Sequence, residues 1–298
     1  MRTRKLGPLE VTVVGLGCNN FGGRIGEAET QSVVDAALEA GVTFFDTADI
    51  YGNAGGSEEF LGRVLNGRRD QVVLATKFGK EMGDGATRRG SRDYILRALD
   101  ASLARLQTDV IDLYQHHEED PDTPLEETIG TLDELVEQGT IRAYGTSNYA
   151  PLSLERAKAI AGRGYVSEQS EYSWLTRDAE AELIPASERL GLGFIPYFPL
   201  ASGLLTGKVS PDNPPAEGTR LYGRAISDQQ LETVERLRAW AAAHGVSLLE
   251  VAIGGLLAVD PVVSVIAGAT KPEQVRANAE AGAWEPTRAE LNELLTGV

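Results

Sequence analysis

The sequence predicts a (β/α)8 barrel with an N-terminal β-hairpin and extra helices near the C-terminus. Eight short segments rich in β-branched residues alternate with amphipathic segments of helical period. They extend over about 250 residues, the length typical of this barrel. Each short segment is almost continuously apolar, which is typical of parallel strands buried on both faces. The alternative is an open doubly wound sheet. Its dinucleotide form needs a G-x-G-x-x-G turn, and "GLGCNNFGG" (15–23) has the wrong glycine spacing.

The strands are predicted from apolar runs bounded by turn residues. A hairpin precedes the first of them, and no low-complexity linker divides the chain, so we expect one barrel domain over residues 1–298. A long irregular stretch, residues 210–227, follows the seventh strand, and we expect it to cross the active face. The predicted strands are 11–17, 43–46, 71–77, 109–117, 140–148, 165–172, 193–200 and 262–269.

Helix boundaries are predicted from capping signals. In "TPLEETIGTLDELVEQG", Thr123 is the expected N-cap, with Pro124 at the first helical position and Glu126 completing a capping box. Gly139 follows the last apolar position, where a left-handed residue ends many helices. By the same reasoning one helix ends at Gly41 and another begins at Ser91.

Composition excludes several classes of protein. The net charge of -16 leaves no broad basic face, so nucleic acid and anionic membranes are not expected partners. A single cysteine excludes an internal disulfide and a cysteine metal cluster, and three histidines are too few for most histidine-rich metal sites. No signal peptide and no membrane span is recognisable, so we expect a soluble cytoplasmic protein.

Polar side chains follow six of the predicted strands in succession. Because the carboxyl ends of barrel strands meet at one mouth, where the chemistry of such barrels is built, we expect these side chains to converge there. Loops often begin with polar residues, which would explain any one position but explains six less well. The residues are Asp46, Lys77, His117, Ser147 with Asn148, Gln169 and Tyr197.

An acid, a lysine, a tyrosine and a histidine gathered in one pocket can transfer a proton to a carbonyl oxygen. A tyrosine phenol has a pKa of about 10 in water, and a neighbouring ammonium is expected to lower it. Asp46 would hold Lys77 charged against the cost of burial. Tyr51, one short loop after Asp46, could then give its proton to a developing alkoxide. A neutral histidine could orient the carbonyl oxygen.

These segments resemble the aldo-keto reductase family. The resemblance rests on "GVTFFDTADIYG", "VVLATKFG", "DLYQHH", "YFPLASGLLTGK" and "GATKPEQVRANAEA", and covers essentially the whole chain in the family's order. It implies a (β/α)8 barrel that transfers hydride reversibly between NADP(H) and a carbonyl or alcohol, with NAD(H) as the alternative cofactor. It assigns Tyr51 as the general acid, Lys77 and Asp46 as its tuning pair, and His117 as the substrate-orienting imidazole. Strand alternation turns the neighbouring His116 towards the helix layer.

The resemblance also implies cofactor contacts along the mouth. Ser147, Asn148 and Gln169 would bind the nicotinamide carboxamide, and Tyr197 would stack on its ring unless it belongs to the barrel core. The segment 198–208 would wrap the pyrophosphate with backbone N–H groups, and the helix starting near Pro272 would bind the adenosine and its 2′-phosphate. The remaining predicted cofactor residues are Phe198, Leu200, Gly203, Lys208, Gly268, Ala269, Thr270, Lys271, Gln274 and Asn278.

Two features of the sequence depart from many relatives. Many relatives have an arginine at the position of Thr270 or Gln274, and this chain does not. Lys271 or Arg276 would therefore supply the positive charge for the 2′-phosphate. "HEED" (117–120) places acid on the rim instead of the usual proline.

The sequence leaves the substrate open. Aromatic walls of the substrate pocket would suit an apolar or aryl aldehyde, or a sugar stacked on a ring face. The acids of "HEED" could instead bind the hydroxyls of a sugar. The predicted substrate-pocket residues are Phe21, Ile25, Trp174 and Tyr222.

Two other functions are compatible with the pattern. Some members of the family act mainly as regulatory subunits that bind the cofactor, dock on another protein and turn over slowly. A Schiff-base lyase would use Lys77 as a nucleophile, which requires a depressed lysine pKa. Asp46 beside Lys77 argues for a charged lysine and therefore against that reaction.

Overall fold

The computed structural model describes residues 1–210 and 213–297. A hairpin of β1 (Thr3–Leu6) and β2 (Leu9–Thr12) precedes eight parallel strands whose order in the sheet is β10-β3-β4-β5-β6-β7-β8-β9. Backbone pairing of Phe194 with Val262 brings the two edges together, giving a nearly closed barrel. The fold class is therefore confirmed. The strands are β3 (Val14–Gly17), β4 (Phe44–Asp46), β5 (Val73–Phe78), β6 (Ile111–His116), β7 (Ile141–Ser147), β8 (Tyr165–Glu171), β9 (Gly193–Tyr197) and β10 (Val265–Gly268).

Helices surround the strands. They are α1 (Glu27–Glu39), α2 (Tyr51–Val64), α3 (Arg92–Leu106), α4 (Leu125–Gln138), α5 (Pro151–Ile160), α6 (Leu183–Arg189), α7 (Asp228–Ala243), α8 (Leu248–Leu257), α9 (Pro272–Ala281) and α10 (Arg288–Gly297). Helices α1 to α6 follow strands β3 to β8 in turn. Helices α7 and α8 both lie between β9 and β10, and α9 and α10 follow β10.

The predicted capping box of α4 is wrong, although its end is right. The Thr123 hydroxyl donates to Asp120 instead of accepting from the helix, and α4 begins one residue after Pro124. The reason is that Asp120, a stronger acceptor three residues earlier, takes the hydroxyl. Gly139 ends the helix in the left-handed conformation, at φ 77°.

Apolar side chains from the hairpin close the base of the barrel. Leu6, Leu9 and Val11 are buried and belong to one cluster with the side chains that fill the barrel interior. That interior set is Phe44, Ala75, Leu113, Ala143, Val166, Ile195 and Ile266. The hairpin thus buries its apolar face at the end of the barrel opposite the mouth.

An ion cluster also lies near the base. Asp112, close to the start of β6, accepts from Arg69 Nη2 at 2.7 Å and from Arg142 Nη1 at 2.7 Å. Its Oδ2 also accepts from the Leu74 backbone N–H at 2.9 Å, which ties β5 to β6.

Among the described residues, no single helix is long and apolar enough to cross a membrane. The pair α7 and α8 would reach the length and hydropathy together, but the two helices are bent by 91°.

Candidate active site

A buried ion pair occupies the mouth of the barrel. Lys77, near the end of β5, has no exposed side-chain surface, and its Nζ lies 2.5 Å from Oδ2 of Asp46 at the end of β4. Nζ also donates to the Thr47 carbonyl at 3.0 Å. The adjacent strands β4 and β5 therefore bring together an acid and a cation that are 31 positions apart in the chain.

Tyr51 completes this group from the first residue of α2. Its phenol oxygen is 3.5 Å from Lys77 Nζ, and Lys77 Nζ lies 5.1 Å from the centre of its ring. The next four residues, 52–55, all have positive φ, including the non-glycine residues Asn53 and Ala54. This left-handed turn is disfavoured for residues with a Cβ, so tertiary contacts must stabilise it. The turn was not predicted.

Burial controls the protonation states at the mouth. It raises the pKa of Tyr51, and although the charge of Lys77 opposes this, the pKa remains above the usual tyrosine value. For Lys77, burial acts to lower the pKa, but the charges of Asp46 and Tyr51 and the hydrogen bonds to both together outweigh it, and the pKa lies above the usual value. Both groups keep their protons at neutral pH. The expected lowering of the Tyr51 pKa is therefore wrong for this structure, because desolvation of the phenol outweighs the ammonium.

The two histidines face different surroundings. His117 lines the cavity with its ring centre 5.8 Å from that of Tyr51, and burial followed by the charge of Lys77 lowers its pKa to about 2. Its Nδ1 has no hydrogen-bond partner among the described residues. His116 instead stacks on Phe78, with ring centres 4.9 Å apart, and its Nδ1 hydrogen-bonds the Tyr149 hydroxyl at 2.8 Å. Only His117 thus faces the space where a substrate could bind.

Two amides fix the second carboxylate oxygen of Asp46. Gln169 and Gln115 both donate from Nε2 to Oδ1, at 2.9 Å and 3.2 Å. Gln169 was predicted at the site, but Gln115 was not. The alternation of β6 could have indicated Gln115, because it lies two residues before His117 and so shares its side of the strand.

A polar network continues from His117 towards β9. The side-chain amide of Asn148 donates to the His117 carbonyl and to Ser147 Oγ, both at 3.0 Å. The Tyr197 hydroxyl donates to Asn148 Oδ1 at 2.8 Å. Asn148 itself has φ 60°, so its backbone is left-handed.

One cavity of about 910 Å³ extends from Tyr51, His117 and Asn148 to the N-terminal end of α9. Its volume lies in the range of sites for ligands of drug or cofactor size. All the predicted cofactor residues line it except Ala269, which is buried and whose carbonyl accepts from Asn20. The segment 213–221, within the irregular stretch after β9, also borders the cavity.

The far end of the cavity contains both amide and cationic groups. Gln274 accepts the Thr270 backbone N–H at 2.7 Å, which orders the loop before α9. Lys271 and Lys208 both line the cavity. Arg276 does not; its guanidinium lies 3.0 Å from Glu39 on the outer surface.

Two of the predicted substrate-pocket residues lie in the hydrophobic core. Phe21 is fully buried beneath the mouth. Trp174 packs against α8, where its indole N–H donates to the Val251 carbonyl at 2.8 Å. Ile25 is half-buried against the same cluster as Phe21. Aromaticity near a strand end is not sufficient to place a side chain on a cavity wall, because loops can fold such residues inward.

The fourth predicted residue, Tyr222, is exposed and lines a separate groove beside the mouth with Arg24, Arg220 and Arg224. The acids of "HEED" are engaged by protein groups; Glu118, for example, lies 3.2 Å from Lys80 Nζ.

Several cavity residues were missed by the sequence reasoning. Asn19 and Asn20 accept from Arg220 at 2.7 and 2.9 Å, so a loop 200 residues away closes over the loop after β3. Arg220 also lies over the Phe198 ring. No local pattern indicates such a contact, although the glycines of "GLGCNNFGG" mark the loop after β3 as unusual.

The fold has a close counterpart among solved structures. The aldo-keto reductase AKR11C1 from Bacillus halodurans, in its holo form, is 35% identical and superimposes with a TM-score of 0.83, covering 99% of this chain and 96% of that one. This similarity in both fold and sequence indicates that the chain is an oxidoreductase.

Sequence comparison gives the family. The aldo/keto reductase family model matches residues 13–295. A probable aldo-keto reductase 1 of Glycine max is 33% identical over 97% of this chain and 86% of its own length. A probable voltage-gated potassium channel subunit beta of Oryza sativa subsp. japonica is 36% identical over 88% of this chain and 84% of its own length. The chain belongs to the aldo/keto reductase family.

Proposed function

We propose that the protein transfers hydride reversibly between NADP(H) and a small carbonyl or alcohol substrate, with Tyr51 as the general acid and base. The observation that carries this is the contact of Lys77 Nζ with both Asp46 and the Tyr51 hydroxyl, beside a neutral His117, at one end of the cavity. Together, a protonated phenol, a buried ammonium and a neutral imidazole can protonate and orient a carbonyl oxygen as it accepts a hydride.

The residues present fit a nicotinamide dinucleotide. Ser147, Asn148 and Tyr197 lie at the catalytic end of the cavity, and Lys271 and Gln274 lie at the other end. Gly203, at φ 110°, lines the cavity and has open space where a Cβ would be, so a pyrophosphate could approach its backbone. NADPH, when bound there, supplies the hydride.

The chain's own residues handle the proton. In reduction, Tyr51 donates its hydroxyl proton to the carbonyl oxygen, and its raised pKa ensures that the proton is present at neutral pH. The Lys77 ammonium, 3.5 Å away, stabilises the phenolate that remains. Asp46 keeps Lys77 charged and in place, and the two glutamine amides fix Asp46.

His117 orients the substrate oxygen. Because its pKa is lowered to about 2, the ring is neutral throughout the physiological pH range and adds no charge that would compete with Tyr51. The charged Lys77 argues against a Schiff-base reaction, which needs a free amine. We further propose a cytoplasmic location and no nucleic acid or membrane partner.

Fluorescence titration of the protein with NADPH and NADH, followed by a panel of aryl aldehydes, short aldehydes and sugars, tests the proposal. We expect tight NADPH binding and reduction of at least one class of carbonyl. If neither NADPH nor NADH bound, the proposal would be contradicted.

A second candidate is a cofactor-binding regulatory subunit with slow turnover. It is favoured by the similarity to the rice protein, a probable voltage-gated potassium channel subunit beta. Single-turnover and steady-state measurements distinguish the two: a regulatory subunit would bind NADPH but oxidise it over minutes with every carbonyl offered.

A further inference from the structure

A buried carboxylate lies behind the residues proposed to bind the nicotinamide. Glu168, on β8, has no exposed surface, and its neighbour Gln169 points the other way, towards Asp46. Among the described residues no lysine, arginine or histidine forms a salt bridge with it, and burial raises its pKa to about 7. A carboxylate without a cation is costly to bury, so its hydrogen bonds must compensate.

Those hydrogen bonds converge from one turn and its flanking strands. Glu168 Oε2 accepts from Thr146 Oγ1 at 2.5 Å, and Oε1 accepts from Ser170 Oγ at 2.7 Å and from the Tyr149 backbone N–H at 3.3 Å. Thr146 and Tyr149 bracket the two residues Ser147 and Asn148. The carboxylate therefore ties down both ends of the turn that carries them.

The same turn contacts both His116, the last residue of β6, and His117, which follows it. Asn148, whose left-handed backbone is disfavoured for a residue with a side chain, donates to the His117 carbonyl. Tyr149 hydrogen-bonds His116. A shift of this turn would move the Asn148 amide away from the cavity and loosen the backbone that carries His117.

We propose that Glu168 is a positioning residue, whose carboxylate holds the Ser147–Tyr149 turn in the conformation that presents Ser147 and Asn148 to the nicotinamide half of the cofactor. This inference rests on the proposed function. It does not extend to the adenosine half, whose residues lie on other elements, at Thr270–Asn278.

Glu168→Gln tests the proposal, because it keeps the shape of the side chain but removes its charge and replaces one accepting oxygen with an amide NH2 group. At pH 8, above the Glu168 pKa of about 7, loss of a hydrogen bond to the charged group predicts roughly tenfold to hundredfold weaker NADPH binding. Binding of 2′,5′-ADP, which lacks the nicotinamide, should stay within about twofold. In the cofactor-free protein, hydrogen exchange of the Tyr149 amide should accelerate.

Glu171→Gln, the same substitution at an exposed position of the same strand, is the control and should change none of these quantities. Thr146→Val, which removes one donor but leaves the carboxylate, serves if Glu168→Gln does not fold, and should shift the same quantities by less. Equal weakening of NADPH and 2′,5′-ADP would overturn the proposal, and so would unchanged binding of both. A wild-type protein that binds neither ligand would instead refute the proposed function, and this inference with it.

Discussion

The two ends of the barrel each contain a buried carboxylate paired with a cation, but the pairs differ in what surrounds them. At the base, Asp112 is held by Arg69 and Arg142, whose side chains are 24% and 50% exposed. At the mouth, Asp46 is paired with Lys77, which is fully buried. The base pair ties strands together, whereas the mouth pair lies next to a phenol and a cavity.

The type of cation accounts for much of this difference. An arginine side chain is always charged and forks to several oxygens, so two of them fix Asp112 rigidly. A lysine presents a compact ammonium, which here contacts Asp46, the Thr47 carbonyl and the Tyr51 hydroxyl at once. An ion pair can therefore serve catalysis when its cation also reaches a group that carries a transferable proton.

Removal of the phenol proton is the largest expected effect at the mouth. Tyr51→Phe keeps the ring but removes the general acid, which costs on the order of 10²–10⁴ in rate. We expect carbonyl reduction to fall by that factor while NADPH binding, measured by fluorescence, persists. Reduction within a few-fold of wild type would contradict the assignment of Tyr51.

The two histidines test whether the cavity side of β6 matters. We expect His117→Ala to lower turnover by roughly 10² and to change substrate preference, because it removes a donor to the carbonyl oxygen. His116→Ala should instead lower the melting temperature, because it leaves a cavity beside Phe78 and an unpaired Tyr149 hydroxyl. The reverse pattern of kinetic effects would transfer the role to His116.

Cofactor selectivity tests the far end of the same cavity. The helix N-terminus contributes about 0.3–1 kcal/mol towards an anion, and a well-placed lysine hydrogen bond about 1.5–3 kcal/mol. Together they predict a preference for NADPH over NADH of roughly tenfold to a thousandfold. Lys271→Ala should remove most of it and leave NADH binding nearly unchanged.

Equal loss of both cofactors in Lys271→Ala would mean that Lys271 only supports the start of α9. Tight NADH binding by the wild-type protein would exclude the NADP preference. Arg276→Ala is the matched control, since Arg276 pairs with Glu39 away from the cavity.

The smallest effect on activity is expected at the base. Asp112→Asn weakens two ion pairs that solvent partly screens, so we expect a loss of about 1–3 kcal/mol in the free energy of unfolding. Because the base is far from the cavity, kcat/KM should change by less than about twofold. A large loss of activity without unfolding, measured by denaturation and kinetics on the same sample, would show that the two ends are coupled.

The strand ends were predictable because they depend on strand register. The period of two along a strand and the parallel order of the barrel are enough to bring Asp46, Lys77 and His117 to one mouth. The walls of the cavity depend instead on the conformations of the long loops. Trp174 turns inward to bond Val251, and Arg220 reaches back to Asn19, through contacts that leave no local pattern in the sequence.

The direction of the net pKa shift of Tyr51 also could not be predicted from the sequence. The residue types indicated that Lys77 would act on Tyr51, but the sign of the net pKa shift depends on how much water the fold removes from the phenol. The left-handed turn at 52–55 is a similar case, since positive φ is intrinsically unfavourable at Asn53 and Ala54 and must be stabilised by tertiary contacts.

The hydrophobic plug at the base limits how the catalytic proton can be replaced. Leu6, Leu9 and Val11 seal one end of the barrel, and Lys77 exposes no surface to solvent. In the proposed reaction, a proton that leaves Tyr51 can therefore return only through the mouth, which cofactor and substrate would fill. We therefore expect re-protonation of Tyr51 from bulk water to follow the departure of the alcohol, with one proton taken up in each catalytic cycle.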